Sequence, residues 1–290
     1  MRNFNFLILS IVLTATFFSS CATSGRYPVN TDIEFQYDTT VVFYDKYIVV
    51  NKYWDKESET SYFLTRIKHK DENGNLLKLK LEASVVDSGE TIPQFATRLG
   101  NPMIATNAST VLSNKAPWPK ISTGILIKDG KILGERDTKF YTLGIKKNNE
   151  LVAYPPGTTA REIIKDGARN AITAFTPIIR DYQTVPDSII GLEAHHIEKH
   201  PRQVIAQFGN KDILYLSCGG RGFDGAGMTI SDVERILKGL KEEVKFAYNL
   251  DGGGSTTTVL YGNQLTKKID KEGTENRTRT NCLYIGVNDR

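Results

Sequence analysis

The chain has 290 residues and a net charge of +4, from 37 Lys+Arg against 33 Asp+Glu. Hydrophobic residues make up 40% and charged residues 24%, which excludes wholesale disorder, and the 24 Gly and 10 Pro exclude collagen-like and low-complexity chains. So small a basic excess argues against nucleic acid as a partner, and three cysteines are too few for a disulfide scaffold.

The N-terminus opens with Met1-Arg2-Asn3 and an apolar run from Phe6 to Phe18. That run is too short to cross a bilayer core of about 30 Å as a helix, and has the length of a signal-peptide core. Phe18-Ser19-Ser20-Cys21 resembles a bacterial lipoprotein box, with Cys21 as the lipid-modified residue. The sequence therefore predicts a signal peptide over 1–20, a small polar tether over 21–31 and one folded domain over 32–290. The protein is expected to be exported and lipid-anchored in the bacterial cell envelope. Cys218 and Cys282 then remain; they could pair in an exported protein, but their spacing does not decide it.

From Thr40 to Trp54, β-branched and aromatic residues predict two strands broken near Asp45-Lys46. Ser61 to Val86 reads as two further strands joined at Asp71-Glu72-Asn73-Gly74, because Asn-Gly is a tight-turn signal. Leu77, Leu79 and Leu81 alternate with Lys78, Lys80 and Glu82, the pattern of a half-buried strand. Ile92, Phe95, Ala96 and Leu99 have the spacing of an amphipathic helix, stopped at Gly100. A short strand over Met103–Thr106 ends at Asn107.

Gly124 to Leu133 predicts a hairpin turning at Asp129-Gly130. Short strands are expected over Phe140–Ile145 and Leu151–Tyr154. After Pro155-Pro156-Gly157, Thr158 or Thr159 caps a helix running to about Asp166. Ala171 to Arg180 reads as one strand. Val204–Phe208 and Ile213–Ser217 are strands around Gly209-Asn210. Thr229 and Asp232 form a near capping box for a helix whose stripe is Val233, Ile236, Leu237 and Leu240. Val244–Leu250, Thr257–Tyr261 and Cys282–Val287 complete the strands. The expected class is α+β, with strand-rich mixed sheets and about three helices.

The segment Asn249-Leu250-Asp251-Gly252-Gly253-Gly254-Ser255-Thr256 carries the most chemistry. Glycines in series let a ligand or another backbone approach closely, and successive N–H groups suit an oxyanion. Asp251 places a carboxylate at a strand end, and Ser255 and Thr256 add hydroxyls. A sharp structural turn is an equal reading of these residues alone. No Lys follows the glycines, which argues against a Walker loop.

This segment resembles the signature of the phosphodiester glycosidase family. Other matches follow in the family's order over roughly residues 75–290. They are Ala105-Thr106-Asn107, the Gly124–Gly130 hairpin, His200-Pro201-Arg202, Gly220-Arg221 with Gly227-Met228-Thr229, and Arg277 with Asn281. Two segments depart from the pattern: Ala108-Ser109-Thr110-Val111 stand where the family has Gly-Gly-Phe-Phe, and Gly219 where it has Asp.

The resemblance implies an enzyme that cleaves a sugar from a phosphodiester at the anomeric carbon. Such cleavage develops oxocarbenium character beside a carboxylate, for which Asp251 is the candidate. His200 would relay a proton, and Arg221 would assist catalysis. Arg202 and Arg277 would bind the phosphate in bidentate fashion. Asn107, Thr229, Asn249, Gly252, Gly253, Gly254, Ser255 and Thr256 complete the implied substrate contacts; Asn107 and Asn249 could instead fix strand-end backbone. A non-catalytic glycan- or phosphate-binding envelope lipoprotein is the alternative.

His196 and His200 stand four apart, a zinc-pair spacing on a helix, but no HExxH pattern is present. The expectation is a loop with one functional His, no metal at the site and no cofactor, with a divalent cation elsewhere left open. Trp54 and Trp118 read as packing residues, Trp118 with a sugar-stacking alternative.

Overall fold

The computed structural model describes residues 39–112 and 120–286. The leader, Cys21, the tether and Trp118 lie outside the described residues. Within them, eighteen strands form three sheets. The expected strand-rich α+β class holds, and every strand pairing is antiparallel rather than mixed.

The largest sheet contains β1 (Thr39–Tyr44), β2 (Ile48–Asp55), β3 (Thr60–Ile67), β11 (Pro177–Arg180), β12 (Gln183–Thr184), β13 (Arg202–Phe208), β14 (Ile213–Cys218) and β15 (Val244–Asn249). Its order is β1-β2-β3-β14-β13-β15-β11-β12. A second sheet joins β6 (Leu126–Lys128), β7 (Lys131–Gly134), β8 (Thr142–Lys146), β9 (Leu151–Tyr154) and β10 (Ala168–Thr173) in the order β7-β6-β10-β8-β9. The third joins β4 (Leu79–Ala83), β5 (Ile104–Asn107), β16 (Thr258–Leu260), β17 (Asn263–Gln264) and β18 (Asn281–Ile285) in the order β17-β16-β5-β18-β4.

One core joins all three sheets. Val50, Ile205 and Tyr215 from the first meet Leu143, Ile145 and Ile172 from the second and Leu81, Leu283 and Ile285 from the third. Strand alternation feeds a second layer: Leu214 and Leu216, beside Tyr215 in β14, point to the opposite face. There α4 (Ile230–Lys238) lays down Val233, Ile236 and Leu237, the stripe expected from sequence. The Thr229/Asp232 capping box forms at its start. Likewise α2 (Ala160–Lys165) covers the second sheet through Ala160 and Ile163. The third sheet is covered by α1 (Ile92–Arg98), through Ile92, Phe95 and Ala96. The four-residue α3 (Asp187–Ile190) is absent from the sequence reading. None of the helices among the described residues is long and apolar enough to cross a membrane.

Two expected continuities are broken. The turn at Asp71–Gly74 forms, with Asp71 Oδ1 accepting from the Asn73 and Asn75 amides and Gly74 at φ +81°. Its flanking strands do not pair, because β3 joins the first sheet and β4 the third. The single strand expected over 171–180 is β10 and β11, in different sheets. Cys218 and Cys282 are buried, free and in separate core clusters. Burial pushes the Cys218 thiol up to about 12 and Cys282 well above its ordinary value. Trp54 is exposed rather than packed.

Tyr248 ties the first sheet to the second. Its fully buried hydroxyl donates to the Tyr141 carbonyl at 2.6 Å and accepts from the Ala174 amide at 3.0 Å. Tyr248→Phe leaves both backbone groups buried without that partner. It should lower unfolding free energy by about 1–3 kcal/mol in denaturant titration; an unchanged midpoint would show that the clamp contributes nothing.

Candidate active site

The end of β15 turns at Asp251 into a 3₁₀ turn over Gly253–Ser255. The bend is held from the third sheet. Asn107, at the end of β5, donates from Nδ2 to the Asp251 carbonyl at 2.6 Å and accepts the Thr257 amide at 3.0 Å. One buried amide thus clamps both limbs of the bend. The Asp251 amide donates to the Ala108 carbonyl at 3.1 Å. From the other side, the Pro201 carbonyl accepts the Gly253 amide at 2.8 Å.

The Asp251 carboxylate pairs with Arg279 at 2.8 Å. Arg279 is only 1% exposed and also donates to Ser255 Oγ at 2.9 Å. Burial draws its guanidinium below the ordinary arginine value, and the Asp251 charge opposes that. Asn281, two residues on at the start of β18, accepts the Ser109 amide and donates to Ser109 Oγ and Ser122 Oγ. Ala108-Ser109 therefore form part of the wall behind Asp251.

The glycines admit two more guanidinium groups. Gly253 sits at φ +59°, and a Cβ there would lie 3.0 Å from Arg221 Nη2. At Gly254 a Cβ would fall 2.6 Å from Arg277 Nη2 and 2.8 Å from Asp270 Oδ1. Any side chain would displace these groups. Arg277 is held by Asp270 through a bidentate pair of 2.9 and 2.6 Å. That pairing holds Asp270 below the usual carboxylate range, with a smaller contribution from Arg221. Exposure rises outward: Arg279 is buried, Arg277 part-buried and Arg221 exposed.

Three guanidinium groups thus face two carboxylates, Asp251 and Asp270, an excess of one positive charge. Lys120 lies near them, bonded to Thr278. Burial, then the Arg279 and Arg277 charges, pull its amine down to about 8. A cavity of about 280 Å³ opens beside Lys120, lined also by Ser84, Ser122, Arg136 and Thr280.

Several expected substrate contacts are internal instead. Arg202 is 2% exposed, and four N–H donations occupy it: to Glu193, Met228 O, His195 O and Glu198 O. Asn249 is fully buried and donates to the second Glu193 oxygen at 2.5 Å. Thr229 Oγ1 caps α4, accepting the Asp232 amide and donating to Asp232 Oδ2. Asn107 takes the backbone-fixing role that the sequence left open. Thr256 is buried beneath the bend, and Ser255 serves Arg279. The His200 imidazole bonds Glu198 at 2.9 Å; it is the next residue, Pro201, that touches the bend. Arg279, Asp270 and Glu193 were not foreseen. Arg279 carried no separate signal beyond standing between Arg277 and Asn281 in the matched segment.

Fold and site together define a strand-rich α+β protein with a carboxylate at a glycine bend and guanidinium groups around it. A family model described as phosphodiester glycosidase matches residues 97–286, and the chain belongs to that family. The fold is similar to the zebrafish N-acetylglucosamine-1-phosphodiester α-N-acetylglucosaminidase catalytic domain, auto-inhibited by its pro-peptide. That likeness has a TM-score of 0.65 and 18% identity over 83% of this chain and 82% of the other. A hypothetical protein from Synechocystis matches with a TM-score of 0.61 and 13% identity, over 87% of this chain and 64% of the other. An uncharacterized SPbeta prophage-derived protein of Bacillus subtilis (strain 168), YomE, is 28% identical over 190 residues. That match takes in 62% of this chain and 28% of the relative's length.

The Arg202–Glu193 pair, both side chains 3% exposed, fixes the loop beneath the bend. Glu193→Ala leaves a buried guanidinium without its counter-charge and should lower unfolding free energy by about 3–5 kcal/mol. Chemical denaturation checks this; a loss below about 1 kcal/mol would mean that the guanidinium finds water instead.

Proposed function

We propose that this chain hydrolyses a sugar-1-phosphodiester of a cell-envelope or extracellular glycan at the anomeric carbon. The supporting observation is Asp251, fixed by Arg279 at a glycine bend, with Arg277 and Arg221 against the same glycines. A phosphodiester carries one negative charge, which complements the net positive charge that the arginines and Lys120 leave over Asp251 and Asp270. Arg277 and Arg221 would take the phosphate oxygens, and the neighbouring cavity would take part of the glycan. Asp251 would stand at the anomeric carbon. The C1–O bond breaks with its electron pair leaving on the phosphate, and water supplies the new C1–O bond while releasing a proton. The leaving phosphate monoester needs charge neutralisation more than protonation, which guanidinium groups provide. His200 would have to turn from Glu198 to take part.

Asp251→Asn keeps an oxygen for Arg279 but removes the charge. It should lower release of reducing sugar from an N-acetylglucosamine-1-phosphodiester by about 1000-fold or more, with a folded circular dichroism spectrum at room temperature but a lower melting temperature, because buried Arg279 loses its counter-charge. Wild-type turnover retained in this variant would remove Asp251 from the mechanism. The second reading, a glycan- or phosphate-binding protein without catalysis, draws on Gly219, where the family's Asp is missing. Binding by calorimetry without turnover in the wild type across a panel of glycosyl phosphodiesters would select it.

We further propose export and a lipid anchor on Cys21 in the bacterial envelope, on the strength of the leader sequence. Metabolic labelling with a fatty acid should mark the chain and fail in Cys21→Ser; equal labelling of both would exclude that anchor.

A further inference from the structure

A second cluster of chemistry lies on the loop after α3. Glu198 Oε2 stands 3.1 Å from His195 Nδ1 and 2.9 Å from His200 Nε2. The two rings meet edge-on with centroids 5.4 Å apart. The three potential ligand atoms all lie within 4.8 Å of one another. One carboxylate oxygen shared by two imidazole nitrogens outlines the space a small cation would take. Each ring nitrogen need only present its lone pair in place of a proton.

The loop is held from beneath. Arg202 Nη2 donates to the His195 carbonyl at 2.7 Å and the Glu198 carbonyl at 2.9 Å. The His200 backbone pairs with Met228. The spacing of the three side chains is thus set by a buried guanidinium, not by a free surface loop. His195 and Glu198 are exposed, so an ion has direct access. His196 turns away, with Nδ1 at 2.7 Å from the Glu193 carbonyl. The pair four apart in sequence is therefore replaced by His195 and His200.

We propose that His195, Glu198 and His200 bind a divalent transition-metal ion of the Zn²⁺ class. Two imidazole nitrogens and a carboxylate oxygen suit zinc, cobalt or nickel rather than magnesium or calcium. Three protein ligands at about 2.0–2.2 Å leave a fourth tetrahedral position for water. The site takes His200 out of the proton-relay role and does not otherwise rest on the hydrolase reading; Pro201, next in sequence, carries the carbonyl that receives the Gly253 amide. An ion here would stiffen the loop under the bend.

The test is calorimetric titration of Zn²⁺ into the full chain after chelator treatment, with Co²⁺ absorption as a report on ligand geometry. One ion should bind per chain. His195→Ala and Glu198→Gln should each weaken binding by about tenfold or more, with melting curves confirming the fold. His196→Ala should leave it unchanged. No saturable binding to the wild type overturns the assignment. So does binding that survives both His195→Ala and Glu198→Gln, or that is lost equally in His196→Ala.

Discussion

The buried Arg279 guanidinium constrains everything around the bend. Taking such an ion out of water costs several kcal/mol unless a counter-charge and hydrogen bonds replace its solvent. Asp251 supplies the charge, and Ser255 Oγ and the Ser109 carbonyl supply acceptors. These partners come from two stretches of chain, the Asp251–Ser255 bend and Ser109, and Arg279 itself from a third. The end of β15, the residues after β5 and the approach to β18 must therefore arrive together. The third sheet achieves this, since β5 and β18 pair directly with Asn107 opposite Cys282. A carboxylate that would otherwise sample many rotamers is given one direction.

From that fixed pair the charges grade outward. Arg277 is held by Asp270 at intermediate depth, and Arg221 is exposed above Gly253. The inner guanidinium orients the carboxylate, while the outer ones are reachable by an anion. Glycine suits 253 through its φ of +59°, and a Cβ at 254 would fall in the space of the Arg277–Asp270 pair. The triglycine motif is thus a clearance for arginines as much as a source of amide donors. Sequence alone suggested the second and could not show the first.

What sequence showed was local. The α4 stripe with its cap, the Gly124–Leu133 hairpin and the Asp251 bend are all written in neighbouring residues. What it did not show depends on long-range pairing. A tight turn at Asn73-Gly74 forms as expected, yet β3 and β4 part into different sheets, a choice made by β14 and β18. The same division explains why 171–180 is two strands. At the site, the motifs marked the right segments but not which way each side chain points. Arg202 and Asn249 lie on strands buried on both faces, so their polar groups must be satisfied inside, and Glu193 does it. Asp270 carries no motif, and only the fold brings it to Arg277.

The departure at Gly219 bears on how Arg221 is presented. A side chain at 219 would collide with the Phe223 carbonyl and lie 2.7 Å from Asp224 Cβ. In this loop the space of an Asp is filled by the loop itself. The loop closes through Gly220–Phe223 and Gly222–Gly225 backbone bonds and is pinned to Glu59 by the Ala226 amide. Arg221 sits within it at φ +58°, a left-handed conformation that a non-glycine residue adopts only when its surroundings impose it. Asp224, the nearest carboxylate in the loop, is paired with Lys267 at 2.8 Å. Arg221 is therefore aimed at Gly253 by backbone geometry, where a neighbouring carboxylate would otherwise be the natural orienting group. Gly in place of Asp leaves the Arg221 side of the cluster without that negative charge while the arginine keeps its position. The positive excess facing an anion is larger for it, so the departure weakens the case for proton transfer at this position and strengthens the case for anion binding.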